Sequence, residues 1–129
     1  MEKEIITPKD MSVPKVPLSR ACKKGNIVFV STRAAIDKTG EVVGLGDIKA
    51  QTTFILNEIV KTVQAAGGKK SDIVKCTVIL VNNDYFEGMN EAYRDFFGGA
   101  FPARTNIICP IPGPHGDKLL IEIDAVAIL

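Results

Sequence analysis

Residues 118–128, KLLIEIDAVAI, constrain the fold of this chain more than any other stretch. Side chains alternate across a strand, so Leu119, Ile121, Ile123, Ala125 and Ala127 share one face. Leu120, Glu122, Asp124, Val126 and Ile128 share the other. The first face is wholly apolar. The second is mostly apolar too, interrupted by two carboxylates. A sheet built around this strand needs cover on both sides, and the number of helices decides whether one copy of the chain supplies it.

Two helical patterns are present. Asp47 is placed to cap the first, in which Ile48, Ile55, Leu56, Ile59, Val60 and Val63 recur at three- and four-residue steps. Gly67-Gly68 ends it. The second runs from about Asp84 to Phe97, with Phe86, Met89, Tyr93, Phe96 and Phe97 for its apolar side. Strands are predicted at 27–31, at 41–43 after the turn Asp37-Lys38-Thr39-Gly40, at 73–81, after Arg104, and at 118–128. Residues 1–20 hold Pro8, Pro14 and Pro17 and should be extended. The order β-β-α-β-α-β-β predicts an α+β sandwich, a mixed sheet with two helices on one face. No third helix remains for the opposite face. That face is expected to pack against other copies of the chain, with Glu122 and Asp124 at or near the boundary.

At 129 residues, 46% hydrophobic and 24% charged, the chain reads as one domain spanning 1–129. Sixteen Lys and Arg against fifteen Asp and Glu leave a net charge of +1. That balance argues against a nucleic-acid partner. No apolar run is long enough for a membrane span, and the first ten residues carry no leader pattern, so a cytoplasmic location is expected. Cys22, Cys76 and Cys109 are too widely spaced for a disulfide framework or zinc site. Cys76 is expected to be a buried, inert thiol. With one His, no phosphate-cradling glycine loop and no ligand cluster, neither metal nor cofactor is predicted.

The stretch FPARTNIICPIPG, 101–113, sets Arg104 at the mouth of an otherwise apolar strand. Such a cation is either a solvated edge residue or the anchor for an anion. GNIVFVS (25–31), DKTGEVV (37–43), AAGG (65–68), DIVKCTV (72–78), NEAYRDFF (90–97), FPAR (101–104) and IEIDAVAI (121–128) favour the second reading. Together they resemble the Rid (YjgF-like) reactive-intermediate deaminases over essentially the whole chain. FPAR before a terminal IEIDA strand is the most specific element. The resemblance implies a chorismate-mutase-like fold and a homotrimer with sites between subunits. It also implies hydrolysis of small 2-imino acids to 2-oxo acids and ammonia.

The same resemblance assigns residues. Arg104 would grip the substrate carboxylate through its planar fork, and Glu122 would place or activate water. Asn90 and Ser31 fall on family positions near the ligand. Leu18 stands where the iminobutanoate deaminases have a tyrosine, Thr32 where they have a glycine, and Asn106 where they have a cysteine. The turn before the last strand is lengthened and carries His115, the single imidazole, as a candidate proton shuttle. A pocket rebuilt in this way points to another carboxylate-bearing imine or enamine, such as 2-aminomuconate. The competing reading is a trimeric, non-catalytic module that binds or senses small carboxylates. RNA cleavage, reported for some relatives, fits the near-zero charge poorly.

Overall fold

A computed structural model describes residues 1–129. The strands are β1 (Glu4–Ile6), β2 (Ala21–Lys24), β3 (Ile27–Ala34), β4 (Ile73–Leu80), β5 (Ala103–Ile108) and β6 (Ile121–Ile128). Helix α1 (Ile48–Ala65) follows β3, and α2 (Phe86–Phe97) joins β4 to β5. One sheet results, in the order β1-β2-β3-β6-β4-β5. Neighbours are antiparallel except β4 and β5. Parallel neighbours need a crossover connection, and α2 supplies it.

Local chemistry sets the helix ends. Asp47 accepts a hydrogen bond from the Ala50 amide at 3.0 Å, satisfying an amide that the first turn leaves without a partner. Gly98 ends α2 with φ of 72°, a left-handed conformation that glycine adopts without penalty. On α1, Ile55, Leu56, Ile59 and Val63 are fully buried against the sheet. Each such side chain stabilises the fold by about 1.5–3 kcal/mol.

The central strand behaves as its alternation predicts. Ile121, Ile123, Ala125 and Ala127 are buried under the helices, and Glu122, Asp124 and Val126 are only half-buried on the opposite face. That face stays apolar into β3, where Phe29 lies beside Val126 and Ile27 beside Ile128. Phe29 is 58% exposed. No helix of the structure is long and apolar enough to cross a membrane.

Three expectations are corrected. The last strand starts at Ile121 rather than 118, because buried Gln51 of α1 takes the backbone first: its Oε1 accepts from the Leu120 amide at 2.9 Å and its Nε2 donates to the Lys118 carbonyl at 2.9 Å. Leu120 is consequently buried and leaves the open face. Residues 41–43 form no strand, only an isolated Ile36–Val42 bridge, since the Asp37 carboxylate draws the Thr39 and Glu41 amides into a tight turn. The extended N-terminal region contains β1, and β2 follows it, adding two strands beyond β3.

Cys76 is fully buried, and burial pushes its thiol up to about 11. A thiol held protonated in this way is a packing group.

Candidate active site

Arg104 lies on β5 directly beside Cys76 of β4. Cys76 faces the helices, and so does Arg104. Its guanidinium reaches α2, where Nη2 donates to Asn90 Oδ1 at 2.8 Å and Nη1 lies 3.6 Å from Met89 Sδ. The group sits 4.8 Å from the Tyr93 ring centroid and 6.0 Å from that of Phe86. Positions 86, 89, 90 and 93 share one side of a helix, so a single face of α2 builds the whole cradle. Cation–π contact and a neutral amide hold the guanidinium without cancelling its charge. No carboxylate lies within ion-pairing distance of it. Around it opens a cavity of about 310 Å³, lined by Asn90, Tyr93, Arg94, Phe101, Pro102 and Arg104. Burial raises the Tyr93 phenol, so the ring under the guanidinium stays neutral.

Glu122 belongs to a different neighbourhood. It sits on β6 between Ala34 of β3 and Ile79 of β4, on the open face of the sheet. Burial lifts its carboxyl above the usual range, with no cation opposite to offset the effect. Asp124, on the same face, instead accepts from the Thr77 amide at 3.2 Å. Ser31 and Thr32 fall in the irregularity of β3 between Val30 and Arg33, level with this part of β6. The Ser31 hydroxyl donates to the Ser19 carbonyl at 2.6 Å and its amide to the Arg20 carbonyl at 2.9 Å. These bonds bring the Leu18–Arg20 segment alongside. Leu18 itself is exposed.

The residues singled out from the sequence thus fall into two groups. Arg104 and Asn90 meet, and Asn106, two residues along β5, shares the sheet face of Arg104. Glu122, Ser31, Thr32 and Leu18 cluster around β3 and β6. Register separates the groups: Arg104 aligns through Cys76 with Ala125, so Glu122 has the opposite parity and points to the other face. Two strand spacings, about 10 Å, add to the separation. A single chain does not bring Arg104 and Glu122 to one ligand. His115 is half-buried in the connection between β5 and β6 and does not line the Arg104 cavity.

Comparison with known proteins places this geometry. The family model described as endoribonuclease L-PSP matches residues 9–129. A RutC family protein of Pyrococcus horikoshii is 40% identical over 127 residues, 97% of each chain. The chain belongs to the YjgF/Rid family. The Rid protein YyfA of Yersinia pestis, at 30% identity, superposes with a TM-score of 0.89 over 99% of this chain and 100% of its own. E. coli TdcF, solved with bound serine, is 27% identical with a TM-score of 0.87, covering 98% of each chain. The six-stranded sheet with two helices thus matches the fold of a Rid structure along the whole chain.

Within the Rid frame, sequence reasoning found the anchor but missed its setting. Tyr93, Phe86 and Met89 read as the apolar stripe of α2, and they are also the walls around Arg104. Arg94 escaped notice altogether. The available signal was the spacing of Phe86, Tyr93 and Arg94 from Asn90: three or four residues in either direction places them next to it on a helix.

Proposed function

We propose that this Rid chain is a hydrolytic deaminase of small carboxylate-bearing imines and enamines, converting 2-imino acids to 2-oxo acids and ammonia. The observation that carries this reading is Arg104, a cation fixed by Asn90 and two aromatic faces with no acid to satisfy it. A substrate carboxylate would complete it with two parallel charge-assisted hydrogen bonds. The serine bound to TdcF carries such a carboxylate beside a nitrogen-bearing carbon.

The chemistry divides as follows. Water adds to the imine carbon while a carboxylate takes its proton, and the nitrogen leaves as ammonia after protonation. One imine and one water give one 2-oxo acid and one ammonia. Glu122, half-buried with a raised carboxyl, suits a group that accepts and returns that proton. Because it faces away from Arg104 in its own chain, the pair would meet only across a subunit boundary. A homotrimer packed through the open face, with Phe29, Ile27, Val126 and Ile128 buried between copies, provides such boundaries. Leu18, Thr32 and Asn106 would then shape a pocket for a catabolic enamine such as 2-aminomuconate.

The test is ammonia release above the spontaneous rate from 2-iminopropanoate and 2-aminomuconate, with wild type and Arg104→Ala. Loss of catalysis in the variant is expected. No turnover by wild type, with 2-oxo acids still bound through Arg104, would replace the enzyme by a carboxylate-binding module. The family model's description gives the remaining arm: cleavage of single-stranded RNA unaffected by Arg104→Ala would overturn the deaminase reading.

A further inference from the structure

The cavity beside Arg104 contains a second guanidinium. Arg94 lies one helical turn beyond Asn90 on α2, and both line the cavity together with Arg104. Arg94 is exposed and pairs with no acid. Glu91, three residues before it and the natural partner on the helix surface, is taken by Lys49 of α1. No aspartate or glutamate lines the cavity. One substrate carboxylate would satisfy Arg104 and leave Arg94 on the cavity wall without a close ion-pair partner, since Glu91 acts on it only from beyond salt-bridge distance. Apart from Asn90, the remaining walls of the cavity are Tyr93, Phe101 and Pro102, whose rings suit carbon rather than another charged group.

We infer that the site selects a dicarboxylate imine or enamine, with Arg104 holding the carboxylate next to the C=N carbon and Arg94 holding the distal one. The inference rests on the deaminase reading and narrows its substrate class. One helical turn, about 5.4 Å, separates Asn90 from Arg94 along the helix. Diacids of roughly four to six carbons have an end-to-end reach of that order. The reaction itself is unchanged: water adds at the imine carbon, the C–N bond breaks, and ammonia leaves. The distal carboxylate takes no part in bond making. Arg94 is a specificity residue and touches none of the reacting atoms.

Its position in the last turn of α2 also lets Arg94 favour the helix C-terminus electrostatically. A purely structural arginine would change melting temperature and leave substrate preference alone, and that difference defines the test. Turnover of 2-iminosuccinate and of 2-iminopropanoate is measured with wild type, Arg94→Ala and Arg94→Lys. The readout is the ratio of kcat/KM for the two substrates. In wild type the ratio is expected to favour 2-iminosuccinate. It should fall about fivefold to tenfold in Arg94→Ala, through KM for the diacid, as befits one partly exposed charge-assisted contact. Arg94→Lys should restore part of it, and added salt should erode it in wild type. A ratio that is the same in wild type and Arg94→Ala overturns the inference.

Calorimetric titration with oxaloacetate and pyruvate separates this result from failure of the deaminase reading. If wild type hydrolyses neither imine yet binds oxaloacetate more tightly, and Arg94→Ala loses that preference, the dianion site stands without the catalysis. Equal affinities for the two acids in both proteins remove it.

Discussion

Arg33 and Arg104 are both drawn out of water, and the protein treats them in opposite ways. Arg33 of β3 is 5% exposed and donates to Glu58 of α1 at 3.3 Å and to the Ile36 carbonyl at 3.0 Å. Its charge is matched within the chain. Arg104 is half-buried, and its partners are an amide, a thioether and two aromatic rings, so its orientation is set while its charge remains available. The difference separates a structural cation from a receptive one. Coulombic matching by the chain's own acid holds two elements together, and orientation without matching prepares a place for a ligand's anion.

The largest effect is expected at Arg33. Arg33→Ala leaves Glu58 buried beside a lost partner and should cost about 3–5 kcal/mol. Urea unfolding will show this as a lower midpoint, and replacing both members with apolar residues of similar volume should recover most of the loss. Arg104→Ala should do the reverse, leaving the unfolding midpoint within about 1 kcal/mol of wild type. Its 2-imino acid kcat/KM should fall on the order of 10²-fold, the scale of one lost charge-assisted contact. Lysine at 104 should not rescue it, because an ammonium cannot reproduce the planar fork. A smaller effect is expected from Asn90→Ala, which frees the guanidinium to reorient. KM should rise several-fold with kcat nearly unchanged, and steady-state kinetics on 2-iminopropanoate will separate the two.

The smallest effect concerns the unpaired acid. Burial holds the Glu122 carboxyl above the ordinary range, so the folded chain favours its protonated form. The resulting stabilisation is complete below the unfolded carboxylate's pKa, about 4.3, and is lost as pH rises through the folded value. Glu122→Gln should therefore melt slightly higher than wild type at pH 7. The gap should close as the pH is lowered towards 4. A variant that melts lower at pH 7 would mean that the ionised carboxylate has a stabilising partner.

Much of the architecture was legible in local patterns. The spacing of Ile55, Leu56, Ile59 and Val63 predicts the buried side of α1, and the alternation of Ile121, Ile123, Ala125 and Ala127 predicts the covered face of β6. Periodicities of 3.6 and 2 are properties of neighbouring residues, so no long-range information is needed to read them. The failures came where distant parts of the chain compete for the same backbone group. Nothing around residues 118–120 announces that a glutamine nearly seventy positions earlier claims their amide and carbonyl. The short strands β1 and β2 lack a periodic signal, being defined by pairing to one another and to β3.

The candidate site divides along the same line. From its own residues the chain determined that a cation opens β5, that an acid interrupts β6, and that one face of the sheet lacks a helix. Side-chain chemistry and period carry that much. Only the tertiary structure decided that β4 lies between β6 and β5, in a register that turns Arg104 towards α2 and Glu122 towards the open face. Strand order and register are set by contacts between residues far apart in sequence. A shift of one residue would have put both side chains on the same face.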